Sequence, residues 1–137
     1  MPERGSEHIL VVDDEMAVLS LAQSMLGRYG YHAIIAPNAA EVLHLLDVWP
    51  DLQIDLALVD IVMPVMDGIE LAERLRKLRP TLPIVFITAY SENERLRPMN
   101  TKGAPLLAKP FSSLKLIGKV REVLDSQQSS AAGSKQS

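Results

Sequence analysis

The chain of 137 residues is 47% apolar and carries a formal net charge of −3, which suits one domain around a single core and gives no electrostatic footprint for nucleic acid. The absence of cysteine excludes disulfides and thiolate metal sites. No apolar run approaches the ~18 residues of a membrane span, and residues 1–7 lack the apolar segment of a signal peptide, so a cytoplasmic protein that engages no membrane is expected.

From His8 onward, short apolar runs alternate with amphipathic stretches. Ile9, Leu10, Val11 and Val12 form a continuous run, as expected of a strand covered on both faces. Residues 15–28 place Met16, Leu19, Leu21, Ala22, Met25 and Leu26 close to helical spacing, with Gly27 and Gly30 closing the helix. Residues 31–36 read as a second strand, and Asn38 as the N-cap of a helix reaching about Val48. After a loop at Trp49, Pro50 and Asp51, residues 56–59 form a third strand. Asp67 and Gly68 precede a third helix with Leu71, Ala72, Leu75 and Leu78 along one stripe, ended by Arg79, Pro80 and Thr81.

Pro83 opens a fourth strand at residues 84–87. Residues 91–103 start with a capping box but meet Pro98 and then Gly103, which predicts a short or irregular helix. Residues 106–108 are a short fifth strand. Ser112 or Ser113 caps a last helix with Leu114, Ile117, Val120 and Leu124 facing inward. Residues 126–137 contain no large apolar residue and are expected to be a disordered tail or a linker.

Strands alternating with helices imply an α/β fold with right-handed crossovers: a flavodoxin-like (βα)5 three-layer sandwich on a parallel five-stranded sheet of order 2-1-3-4-5. Ligands of such sheets bind outside the carboxyl ends of the strands, at the switch between strands 1 and 3. Asp13, Asp14 and Asp60 fall there, Thr88 ends strand 4, and Lys109 follows strand 5.

Each of these residues alone has an ordinary explanation. Asp13 or Asp14 can cap the first helix, with Glu15 favourable to its dipole. Asp60 can be a turn residue, Thr88 a β-branched strand end, and Lys109-Pro110 a surface turn. Their joint placement at one sheet edge is what unrelated turns do not explain. Crowded carboxylates repel unless a cation offsets them, and all-oxygen donors suit Mg²⁺, which needs one or two carboxylates plus phosphate oxygens. Asp60, the central acid, is then the best-placed nucleophile toward a phosphoryl group, with the Lys109 ammonium and the Thr88 hydroxyl stabilising its charge. His8, His32 and His44 show no metal-ligand spacing, and Arg95, Arg97 and Lys102 read as a solvated patch.

With these motifs in view, residues 7–125 resemble a response-regulator receiver domain of two-component signalling. The resemblance rests on Asp13-Asp14-Glu15, on Asp60 followed by Met63-Pro64 and Met66-Asp67-Gly68, on Thr88-Ala89, and on Lys109-Pro110-Phe111. It implies Asp60 as phosphoacceptor. Asp14, Asp60 and the Val62 carbonyl would ligate Mg²⁺, and Asp13 would act through a water. Thr88 and Lys109 would contact the phosphoryl group, and the Lys109–Pro110 bond would be cis. It also implies a histidine kinase or histidine phosphotransfer protein as donor and a protein partner downstream, and leaves homodimerisation through the strand 5 surface open.

Leu106 stands where the family usually has the aromatic residue of its switch, and residues 83–90 partly match the strand 4 motif of a subclass lacking that aromatic. Tyr90 either takes over part of the signalling surface or is an ordinary loop aromatic. The main expectation is a signalling phosphoacceptor rather than a turnover enzyme. A receiver working by contact alone is the alternative. A Mg²⁺-dependent aspartyl-phosphate phosphatase would need Asp-x-Asp-x-Thr after strand 1, which Asp13-Asp14-Glu15-Met16 does not provide. A flavin-binding protein of this fold would need a hydroxyl-rich phosphate loop there.

Overall fold

Side chains alternate across each short apolar run, and this alternation divides the core into two halves. The computed structural model describes residues 5–89 and 104–136, with side chains as far as Gln127. In chain order the elements are β1 (His8–Val12), α1 (Met16–Arg28), β2 (His32–Ala36), α2 (Ala39–Val48), β3 (Leu56–Asp60), α3 (Gly68–Leu78), β4 (Ile84–Thr88), β5 (Leu106–Ala108) and α4 (Ser113–Gln136). The sheet is parallel throughout, in the order β2-β1-β3-β4-β5. The flavodoxin-like α/β architecture expected from the sequence is the one observed. Residues 91–103, where an irregular helix was expected, lie outside the described residues, as does Tyr90.

On one face, Leu10, Val12, Val59 and Phe86 pack against Val42 and Leu46 of α2 and Leu71 and Leu75 of α3. On the other, Ile9, Val11, Leu58 and Ile87 pack against Leu19 and Leu26 of α1 and Leu116, Ile117 and Val120 of α4. Burial on both faces is why β1, β3 and β4 read as unbroken apolar runs. β2, at the edge, is only partly covered. Asn38 and Asp67 cap α2 and α3, accepting hydrogen bonds from the backbone N–H groups of Glu41 and Glu70 at 2.8 and 2.9 Å.

One helix position differs from its predicted orientation. Leu114 is exposed, and Leu116 takes the inward place assigned to it. The buried stripe of α4 is centred on Leu116, Ile117, Val120 and Leu124, which puts Leu114 about a quarter turn off it. Met16 and Leu21 on α1 and Leu78 on α3 are likewise exposed. Gly27 lies inside α1, and Gly30 makes the stop: its φ is +95° and its N–H donates to the Gly27 carbonyl at 3.1 Å. A Cβ at Gly30 would collide with the Gly5 carbonyl oxygen. The backbone of α4 stays helical to Gln136 instead of giving way at Ser126, where the composition predicted a tail. The segment contains no proline to break it, and alanine and glutamine suit helix interiors.

A charged network ties the chain's beginning to α4. Arg121 donates to both carboxylate oxygens of Glu7 at 3.2 and 3.0 Å, to the Tyr31 hydroxyl at 3.1 Å, and to Asp125. The hydrogen bonds from Arg121 hold the Glu7 carboxyl below its ordinary range, against a smaller opposing effect of burial. Burial pushes the Tyr31 hydroxyl up, and Arg121 offsets part of that.

The loop between β3 and α3 is strained. Val65 has φ +69° and is fully exposed, at the centre of a three-residue turn closed by the Met66 N–H donating to the Pro64 carbonyl at 2.8 Å. A β-branched residue in this region is unfavourable by roughly 1–3 kcal/mol.

The Val65→Gly variant is therefore expected to be more stable than the parent by about 1 kcal/mol, after the extra unfolded-state entropy of glycine is subtracted. Urea denaturation checks this, and equal or lower stability would remove the strain argument. The Glu7–Arg121 pair has a pH signature. Because the folded Glu7 carboxyl titrates below its ordinary 4.5, its contribution is present above that value and lost as pH falls through the folded one. Glu7→Gln is expected to cost about 1–2 kcal/mol at pH 7 and progressively less below about pH 4.5. Paired denaturation curves at neutral and acid pH measure the difference.

Candidate functional site

Parallel strands of one sheet deliver their last residues to the same edge. Asp13 follows β1, Asp60 ends β3, Thr88 ends β4, and Lys109 follows β5. The register pairs Asp60 with Ile87 and Thr88 with Ala108, which fixes how far each residue projects. The Lys109 N–H donates to the Thr88 carbonyl at 2.9 Å, and the Lys109–Pro110 bond is cis.

Asp13 is fully buried, and Asp60 and Thr88 are nearly so. Asp13 does not cap α1 in the usual way. Its Oδ1 accepts from the Glu15 N–H at 2.8 Å, and its Oδ2 faces the Lys109 ammonium at 2.9 Å. Asp60 Oδ1 accepts from the Val62 N–H at 3.3 Å, and Oδ2 lies 3.4 Å from Lys109 Nζ. Carboxylate oxygens of Asp13, Asp14 and Asp60 all lie within 4.8 Å of one another, with Asp14 exposed at the rim. Gly68 closes the floor: its N–H donates to the Ile61 carbonyl at 2.8 Å, and any Cβ there would run into the Asp60 carbonyl oxygen.

The electrostatics follow from this crowding. Burial, and then the neighbouring Asp13 charge, push the Asp60 carboxyl up to about 6, and Lys109 and the Val62 N–H recover only part of the shift. Burial by itself would lower the Lys109 amine. Glu15, Asp13 and Asp60 outweigh it and hold the ammonium well above the usual lysine range. One ammonium faces an acid cluster it cannot neutralise. Closely spaced, all-oxygen, partly buried carboxylates with excess negative charge are the donor set a hard divalent cation requires, so these residues fit Mg²⁺.

Asp13, Asp14, Asp60, Thr88 and Lys109, singled out from the sequence, thus meet at one edge. Val62 is exposed beside Asp60. Leu106 is half-buried on β5, paired with Phe86 and packed on the α2–α3 side of the core. The sequence reading assigned Glu15 no place in the site beyond the acidic motif. In the structure its carboxylate receives a hydrogen bond from Lys109 Nζ at 2.8 Å. A glutamate at an N-cap position that prefers Ser, Thr, Asp or Asn is the one local hint of this.

Residues 9–121 match the family model described as the response regulator receiver domain. The chain is 34% identical over 117 residues to the transcriptional regulatory protein CpxR of Escherichia coli, covering 85% of this chain and 48% of that protein. It is 34% identical over 125 residues to the sensor kinase CckA of Brucella abortus, covering 90% of this chain and 13% of that protein. The chain spans about half the length of the transcriptional regulators it matches. Among solved structures, a CheY-like receiver domain protein from Methanospirillum hungatei superposes with a TM-score of 0.78 at 34% identity, covering 92% of this chain and 99% of that one. NtrX from Brucella abortus superposes with a TM-score of 0.84 at 26% identity, covering 97% of this chain and 30% of that one. The site geometry, the family match and these likenesses agree: the chain belongs to the response regulator receiver domain family of two-component systems.

Proposed function

We propose that the chain is a phosphoacceptor switch in which Asp60 takes a phosphoryl group from a histidine kinase or a histidine phosphotransfer protein. The observation that carries this reading is the Asp60 carboxylate at the end of the central strand, 3.4 Å from a lysine ammonium and within 4.8 Å of two further acids. A carboxylate oxygen of Asp60 attacks the phosphorus. The bond from phosphorus to the donor's imidazole nitrogen breaks as the new bond to oxygen forms, and the imidazole leaves. Little covalent chemistry falls to the protein, so positioning and charge stabilisation dominate.

Asp13, Asp14 and Asp60, with the Val62 carbonyl, are the groups that would hold Mg²⁺. When bound, the ion offsets the acid cluster and stabilises charge on the transferring oxygens. Lys109 supplies a positive charge from the end of β5, two strands away, and the buried Thr88 hydroxyl lies one residue beyond the partner of Asp60 in the register. A phosphoryl group adds nearly two negative charges where the ammonium already faces more acid than it can neutralise. The resulting rearrangement is the signal passed to a protein partner, which makes the chain a signalling module rather than a turnover enzyme. Leu106 and Tyr90 are the positions through which this output departs from the aromatic switch usual in the family. The relatives named as transcriptional regulators support a regulatory output, and the likeness to a sensor kinase supports a phosphorelay context.

Intact mass after incubation with acetyl phosphate and Mg²⁺ tests the acceptor. A single phosphoryl adduct is expected, absent from Asp60→Asn and absent when the metal is chelated. An adduct that persists in Asp60→Asn would place the acceptor elsewhere. A receiver acting by contact alone would give no adduct from either acetyl phosphate or a phosphohistidine donor. Lys109→Ala is expected to lower the rate of adduct formation by at least about tenfold, because transition-state charge loses its nearest cation.

A further inference from the structure

The Lys109 ammonium has three N–H donors and no acceptor capacity, and three carboxylates surround it. Glu15 lies at 2.8 Å, Asp13 at 2.9 Å and Asp60 at 3.4 Å. In the unphosphorylated protein the ammonium donates hydrogen bonds to Glu15 and Asp60 and is held against the buried Asp13 Oδ2 as an ion pair. A phosphoryl group on Asp60 therefore competes with Glu15 and Asp13 for the ammonium.

The three acids are not equally free to give way. Asp13 is fully buried and is anchored through its other oxygen to the Glu15 N–H. Asp60 is nearly buried and carries the phosphoryl group itself. The Glu15 side chain is 61% exposed against 16% for Lys109, so its carboxylate can return to water at little cost. Among the described residues, nothing else holds it. Glu15 is the N-cap residue of α1, yet its side chain makes no capping hydrogen bond. Its root is nonetheless fixed, because Asp13 binds its backbone N–H, and this aims the longer glutamate arm at the ammonium.

We propose that Glu15 is a latch on Lys109, a positioning residue that holds the ammonium in the resting protein and restrains phosphoryl uptake until it is displaced. This rests on Asp60 being the phosphoacceptor. The latch sets how readily Lys109 turns to the phosphoryl group, and so how responsive the receiver is to weak donors.

Glu15→Gln and Glu15→Ala in the full chain test it, with Mg²⁺ present and two small donors. Acetyl phosphate is a dianion at neutral pH, and phosphoramidate carries less net negative charge. Both variants are expected to take up phosphoryl about fivefold faster than the parent from both donors, the size of one exposed ion pair released. A second measurement needs neither metal nor donor: proton exchange of the Lys109 ammonium, followed by nitrogen NMR, is expected to speed up in both variants. Acceleration with acetyl phosphate alone would reduce Glu15 to a repulsive surface charge and overturn the latch. Unchanged or slower uptake, or unchanged ammonium exchange, in variants that melt like the parent would also overturn it, while adduct on the parent leaves Asp60 as acceptor. No adduct on the parent from either donor would remove the acceptor reading and the latch together.

Discussion

The site depends on a charge imbalance held in place by the sheet. One lysine ammonium lies against the buried Asp13 and Asp60 and against Glu15, with Asp14 beside them at the rim, and a single positive charge does not neutralise four carboxylates. Left in water, these groups would separate and be screened within about 8–10 Å. The parallel strands do not allow that. Asp13 and Asp60 leave the adjacent strands β1 and β3, and Lys109 follows β5 on the far side of β4; backbone hydrogen bonds set the spacing of all these strands, so repulsion cannot relax by moving the acids apart. The molecule responds instead by raising the Asp60 carboxyl toward neutrality and holding Lys109 firmly charged. A site in this condition favours a divalent cation and is sensitive to any further negative charge.

The packing around the strand ends is what sustains that imbalance. Both faces of β1, β3 and β4 are buried, so the strand ends have little freedom to shift. Gly68 lets α3 begin directly against the Asp60 carbonyl, bringing the helix start close under the acid. The opposite end of the sheet is tied by Arg121 to Glu7, Tyr31 and Asp125, far from the chemistry. The strained turn at Val65 lies in the loop between Asp60 and Gly68, which is consistent with local strain collecting at functional sites.

Much of this is legible in the sequence alone. Continuous apolar runs at β1, β3 and β4 imply strands covered on both sides, and the regular alternation with helical stretches leaves few topologies. The carboxyl-edge rule then brings Asp13, Asp60, Thr88 and Lys109 together. Leu114 was expected to face inward, but burial depends on a helix's rotation about its axis, which a few apolar residues leave loosely defined; Met16, Leu21 and Leu78, apolar at helical spacing, are exposed for the same reason. The backbone of α4 runs on past Ser126 because polar composition alone does not stop a helix that is already nucleated on the core.

The sequence by itself determined the fold class, the strand order and the residue types collected at one edge, because these follow from local periodicity and a few topological rules. Only the tertiary structure decided how those residues pair. Glu15 and Lys109 are 94 residues apart, and nothing local distinguishes a glutamate that favours a helix dipole from one that holds an ammonium across the site. The same is true of Asp13, whose two oxygens divide between a backbone N–H and the lysine. Pairing is a contest among charges for a single donor group, and its outcome depends on distances and burial that exist only once the strands have been brought side by side.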